Sequence, residues 1–214
     1  MGHTPHVATA STAERSRARL RALSTAGLAL DEFASAATSI LREAVPFDAA
    51  CTLSLDPSTL LVTDTVKVEL PPDRDADWAM HEYEREDVAQ FVDLALRADP
   101  VTTVDRETGG DALRSERMAE LHLPNCGLGH EMRAVAKLDG AAWGGLCLFR
   151  EQGLRGFGAA EVEYIATAAP TIALGVRASL VAGAAAGIGA SHGPAVLIVG
   201  ARDEVEQLSP DAEQ

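Results

Sequence analysis

Asp139-Gly140 stands between two long runs, Glu131–Leu138 and Ala141–Arg150, that are apolar enough to be strands. Both residues of such a dipeptide tolerate positive φ, which is what a two-residue hairpin turn demands. A hairpin is marginal by itself in water, so the rest of the chain must supply further strands and helices that cover it. Two more strands are read at Ala49–Leu55 and Leu60–Leu70, joined by an Asp56-Pro57-Ser58 turn, with Val62, Val66, Val68 and Leu70 at even spacing in the second. A short strand follows Pro100 at Val101–Val104.

Helical spacing fills the intervals. A first helix runs through Leu20 and Leu23 to Gly27, and a second carries Phe33, Ala36, Ala37, Ile40, Leu41 and Ala44 on one face until Pro46. Asp75–Ala98 reads as one or two helices over the sheet, and a short helix passes Met118 and Leu121. Phe157 and Glu161 open a long closing helix with Val162, Ile165, Ala169, Ile172, Val176 and Leu180 on one face, which Pro170 is expected to bend. Residues 183–193, rich in glycine and alanine, are read as a linker, and 194–214 as a lone hairpin. The expected class is α+β, with an antiparallel sheet of five or six strands between helical layers.

With a formal charge of −14 and only two lysines among 18 basic residues, the surface repels phosphate backbones, so direct nucleic-acid binding is not expected. No run of roughly 18 apolar residues and no signal peptide is apparent, which points to the cytoplasm and away from a membrane. Cys51, Cys126 and Cys147 lack Cys-x-x-Cys spacing, in keeping with reduced thiols.

Particular residue patterns resemble a known family. They are Val45-Pro46-Phe47-Asp48-Ala49-Ala50, Glu84 with Asp87-Val88 and Phe91, and Thr108-Gly109-Gly110-Asp111 with Arg114-Ser115 and Arg117. Gly127-Leu128-Gly129, Glu131-Met132-Arg133-Ala134, Trp143-Gly144, Phe149-Arg150, Phe157 and Glu161 continue them. Over residues 28–182 the chain resembles the GAF sensory domain, a relative of PAS domains, of actinobacterial regulators that end in a LuxR-type helix-turn-helix. The tail, Pro194–Val199 with Asp203, Val205 and Ser209-Pro210, resembles the opening hairpin of a PAS-like segment that stops at Gln214. The resemblance implies residues 1–27 as an amino-terminal helix, 28–182 as the GAF domain with its closing helix, and no helix-turn-helix in the chain. It implies a non-catalytic module that binds an unknown small molecule, needs no cofactor, and pairs as a homodimer through its terminal helices. Some GAF proteins reduce methionine sulfoxide with cysteine thiols, which keeps a thiol enzyme as an alternative beside a ligand-free dimerisation module.

Several side chains compete for a functional role. Trp78, Tyr83 and Phe91 lie in the helical region that forms the lid of the pocket in GAF domains, and Trp143 adds a fourth ring in a chain with 4% aromatics. They line a pocket or pack a core. Arg133 beside Glu131, close to His130, either holds a ligand carboxylate or phosphate or forms a same-face pair on its strand. His122, Cys126 and His130 are four apart, a metal-like spacing, but Pro124 and Gly127 oppose one continuous helix, so no metal is expected. Cys51 and Cys147 are read as small buried hydrophobes, and Thr108-Gly109-Gly110-Asp111 as a tight loop.

Overall fold

The computed structural model describes residues 10–188, 197–199 and 205–208. The chain divides into two compact units, residues 1–180 and 181–214.

In the first unit, helices α1 (Ala10–Leu23) and α2 (Leu30–Ala44) precede strands β1 (Ala49–Leu55) and β2 (Val62–Val68). Helices α3 (Asp75–Tyr83) and α4 (Phe91–Leu96) lead to β3 (Val101–Thr103) and α5 (Val104–Glu107). A 3₁₀ turn at Ala112–Arg114, a π-helical turn at Arg117–His122 and α6 (Leu123–Cys126) connect to β4 (Leu128–Leu138) and β5 (Ala141–Glu151), and α7 (Ala159–Ile188) closes the order. The strands form one antiparallel sheet in the order β2-β1-β5-β4-β3. The hairpin read at Asp139-Gly140 is its centre, with φ of 52° and 82° at the two turn residues.

Strand alternation explains how the sheet serves two cores. Met132, Ala134, Ala136, Leu146 and Leu148 point to the face covered by α2 and α7. Glu131, Arg133, Val135, Cys147 and Phe149 have the opposite parity, and Val135, Cys147 and Phe149 join Phe91 and Leu94 of α4 in a second core. Every residue of β1 is buried, because that strand is covered on both faces, and its near-continuous apolar run Ala49–Leu55 follows from this.

On the first face α2 buries Phe33, Ala37, Ile40, Leu41 and Ala44, the stripe its spacing predicts. Against it α7 buries Ile165, Ala168, Ala169, Ile172, Ala173 and Val176. A Cβ at Gly175 would strike the ring of Phe33, so only glycine permits this approach of α7 to α2. Arg17 of α1 lies over the Tyr164 ring of α7 at 5.1 Å. The sequence shows no obvious membrane span, yet Ala159–Ala184 of α7 has a mean hydropathy of 1.5 and is long and apolar enough to cross a bilayer. In the first unit this helix instead places its apolar side on the sheet and α2.

Two β-bulges re-aim side chains. Between Ala136 and Lys137 the register with β5 shifts, so that Ala136 faces Gly144 and Lys137 faces Ala142, which leaves Trp143 as the extra residue. Trp143 consequently packs on the α2/α7 core, with Arg177 5.3 Å from its ring. Gly129 is the corresponding extra residue between Leu128 and His130.

In the second unit β6 (Leu197–Val199) and β7 (Val205–Leu208) pair antiparallel. Helix α7 continues to Ile188, into the stretch read as a linker, because alanines outnumber glycines up to that point and favour helix. Residues 189–193 of that stretch lie outside the described residues, as do 189–196 and 209–214 around the hairpin.

Candidate ligand-binding site

The face of the sheet away from α2 and α7 is roofed by α3, α4, the π-helical turn and α6, and it divides into a charged half and a hollow half. The charged half holds five ionic side chains, Glu82, Asp87, Arg117, Glu131 and Arg133, each with a side chain no more than 2% exposed. Burial of charge on this scale is tolerated only when partners surround each group. Arg117 donates from Nε and Nη2 to Glu131 Oε2 at 3.1 and 2.9 Å, and from Nη1 to Asp87 Oδ2 at 3.3 Å. Asp87 Oδ2 also accepts from the Arg117 amide and the Ser115 hydroxyl, which fixes the start of the π-helical turn.

Arg133 donates to Glu82 Oε2 at 2.8 Å and to the Ala89 carbonyl at 2.9 Å, and its guanidinium lies 3.9 Å from the centroid of Phe91. Its Nε is 3.3 Å from Glu131 Oε1, so the same-face pair is present within a larger network. Glu82 Oε1 accepts from the Phe91 amide at 2.6 Å, and the Gln90 side chain caps the His81, Glu82 and Arg85 carbonyls at the end of α3. The segment between α3 and α4 is thus bolted to β4, with Ala89 held at a φ of 57°.

Electrostatics follow from this packing. Burial pushes the Glu131 carboxyl up, but Arg117 and Arg133 outweigh it and hold the group at about 2. Arg133 is raised by Glu82 and Glu131 against its own burial.

The hollow half is a cavity of about 50 Å³ between β1, β2 and β5 below and α3, the π-helical turn and α6 above. Its lining includes Trp78, Phe149, His122 and all three cysteines of the chain. His122 and Cys126, four apart, share one side of a continuous helical stretch. Pro124 does not break that stretch, because the π-helical turn Arg117–His122 directly precedes α6 and admits the proline near its start, and Gly127 ends the helix at a φ of 68°. His122 stacks at a tilt on Phe149, 4.6 Å between centroids, and its Nε2 is enclosed with no hydrogen-bond partner. Burial lowers its pKa from 6.5 to about 4, so the ring is neutral near pH 7.

The structure separates the residues that sequence brought together. Trp78 lines the cavity, Tyr83 packs edge-on against Trp78 at 6.2 Å and is 47% exposed, and Phe91 is a buried neighbour of Trp78 at 6.4 Å. Glu131 and Arg133 belong to the network and are fully enclosed. His130 has the other parity on β4, where Nδ1 meets Asp105 Oδ1 and Nε2 meets the Leu154 carbonyl, both at 2.9 Å. His130 and Trp143 are therefore absent from the cavity lining. In sequence His122 and Cys126 read as a metal-like spacing, and the cysteines as core residues or as the thiols of an alternative enzyme, not as the lining of one cavity. Their convergence depends on pairing that no local pattern records, since Cys51 and Cys147 are register partners on adjacent strands.

Burial drives the Cys51 thiol up to about 12 and raises the Cys147 thiol well above its ordinary value, so neither supplies a thiolate near neutral pH. His81, Glu116 and Glu120 offer ligand atoms within 4.8 Å of one another, outside the cavity. Arg85 already places its cation on both carboxylates, at 3.4 Å from Glu116 and 2.5 Å from Glu120.

In sequence the chain matches no protein-family model and no curated protein. In structure it resembles the GAF domain of a phosphoenolpyruvate-protein phosphotransferase (ptsP) from Coxiella burnetii, with a TM-score of 0.59 at 16% identity over 83% of this chain and 99% of that one. It is also similar to the VqsR LBD domain from Pseudomonas aeruginosa (TM-score 0.49, 15% identity, 78% and 95% covered). A third similar structure is the phycoerythrobilin-bound GAF domain of a cyanobacterial phytochrome (TM-score 0.48, 15% identity, 81% and 98% covered).

Proposed function

We propose, from the premise that the chain has the GAF fold with a five-stranded antiparallel sheet between helical layers, that it is the signal-sensing domain of a bacterial transcription regulator, binding a small molecule under the lid formed by α3 and α6. The observation that carries this reading is the cavity: one half of the lid is bolted down by five buried charges, while the other half roofs a hollow.

The sheet supplies a route for the signal. Along β5, Cys147 and Phe149 line the cavity, whereas Leu146 and Leu148 pack on α2 and α7. A ligand that shifts β5 therefore biases the helices on the far face, and a ligand shifts an equilibrium only by its differential affinity for the two states. The terminal helices α1 and α7 touch through Arg17 and Tyr164, and they pass the change to a helix-turn-helix output domain of the LuxR type. The acidic chain leaves contact with DNA to that output domain. The protonated thiols support a non-catalytic role.

Native mass spectrometry of the purified chain, followed by denaturing extraction, tests the reading. A non-covalent mass lost on denaturation is expected. A chain that stays at its bare mass when supplied with cell extract contradicts it.

A second reading, pairing of chains through α7, is favoured by Leu174 and Val181, which are seven residues apart on that helix and 36% and 62% exposed. Light scattering at high concentration decides it. A dimer mass is expected, and a monomer would exclude pairing.

A further inference from the structure

Which chemistry would the cavity select? Three observations bear on it, beginning with charge. The cations nearest the cavity are already engaged. Lys67 pairs with Asp75 at 2.5 Å and donates to the Pro71 and Pro72 carbonyls, and Arg74 pairs with Asp77 and with Asn125 Oδ1. Behind the cavity, Arg117 and Arg133 face three carboxylates, Glu82, Asp87 and Glu131, so the buried cluster carries an excess of negative charge. An incoming carboxylate or phosphate would lose its hydration and find no uncommitted cation here.

The second observation is the wall. Trp78, Phe149, Leu121 and Leu70 with the thiols of Cys51 and Cys147 present apolar, polarisable surface. Rings on opposite sides, Trp78 from α3 and Phe149 from β5, suit a flat guest. The third is His122, a neutral imidazole on the lining whose Nε2 has no hydrogen-bond partner. A buried polar atom left unmatched is destabilising, and a ligand group that meets the ring removes that cost.

We infer that the lid cavity takes a small, uncharged, mainly aromatic or apolar molecule bearing one hydrogen-bonding group that His122 recognises. This rests on the sensing reading above and specifies its ligand class. The present volume of about 50 Å³ is well below the roughly 150 Å³ that accommodates benzene in an engineered cavity, so the lid moves outward as the ligand enters. The latches that would yield are Lys67–Asp75 and the Val62 amide on the Tyr83 hydroxyl, at 2.9 Å.

The test uses phenol, toluene and benzoate on the full chain. The chain has two tryptophans, so Trp143→Phe leaves Trp78 alone to report on the cavity by fluorescence. Saturable responses are expected for phenol and toluene, with phenol about three- to tenfold tighter, and none for benzoate. His122→Phe should bring phenol and toluene to equal affinity, and the ranking of the three probes on the His122 protein stands as a test if that variant fails to fold. Benzoate binding as tightly as phenol overturns the uncharged class while leaving the sensing reading intact. Equal binding of phenol and toluene with His122 present overturns the role of the imidazole. No saturable response to any probe overturns the inference, and the native mass measurement then judges the sensing reading separately.

Discussion

Glu131 and His122 sit side by side on the lid face and answer acid in different ways. Glu131 is ordinarily near 4.5 and is held at about 2 in the fold, so its contribution is complete above 4.5 and is lost as pH falls from there toward 2. For His122, both folded and unfolded states are neutral above about 6.5. As pH falls from 6.5 toward 4 the unfolded chain takes up a proton that the buried ring refuses, so stability declines across that window by up to about 3 kcal/mol. Urea midpoints measured from pH 7 to pH 4 should therefore fall less steeply in His122→Phe than in the parent. Parallel profiles would show that His122 is not buried neutral. Arg117→Met strands Asp87 without its cation and leaves Glu131 with Arg133 alone, and a loss of about 3–5 kcal/mol in equilibrium unfolding is expected. A loss under 1 kcal/mol would mean that water reaches those carboxylates.

At the scale of elements, the lid is where structure and sequence part. The central hairpin, the α2 stripe and the closing helix were legible because each is a local pattern: a turn dipeptide, or apolar residues at a helical period. The short helix past Met118 and Leu121 was legible too, but its continuation to Cys126 was not, since Pro124 reads as a breaker until it is seen to occupy the first turn of α6. Trp143 stayed open between pocket and core for a related reason, because the bulge that turns it to α7 is a property of strand register rather than of the residues beside it. The lid also yields a specific expectation. Asp75 is exposed and holds Lys67, so Asp75→Asn frees a cation at the cavity mouth. Benzoate binding should appear in that variant in the Trp143→Phe background, with phenol affinity no weaker. If benzoate stays excluded, the engaged lysine is not what keeps anions out.

Across the whole molecule, the parts of the candidate site come from β1, β2, β5, α3, the π-helical turn and α6, which spread over the sequence from Cys51 to Phe149. Residue patterns scattered through the chain suffice to suggest a GAF fold, but the cavity exists only once β1 pairs with β5 and brings Cys51 opposite Cys147. The residues that looked most like ligand contacts in sequence, Glu131 and Arg133, instead hold the lid to the sheet, and this lets the neighbouring half stay hollow. Amide hydrogen exchange of the full chain with and without saturating phenol tests this account most directly. Slower exchange is predicted in Asp75–Tyr83 and Arg117–Cys126, with an accompanying change in α7. Unchanged exchange in both lid segments at saturation would contradict it.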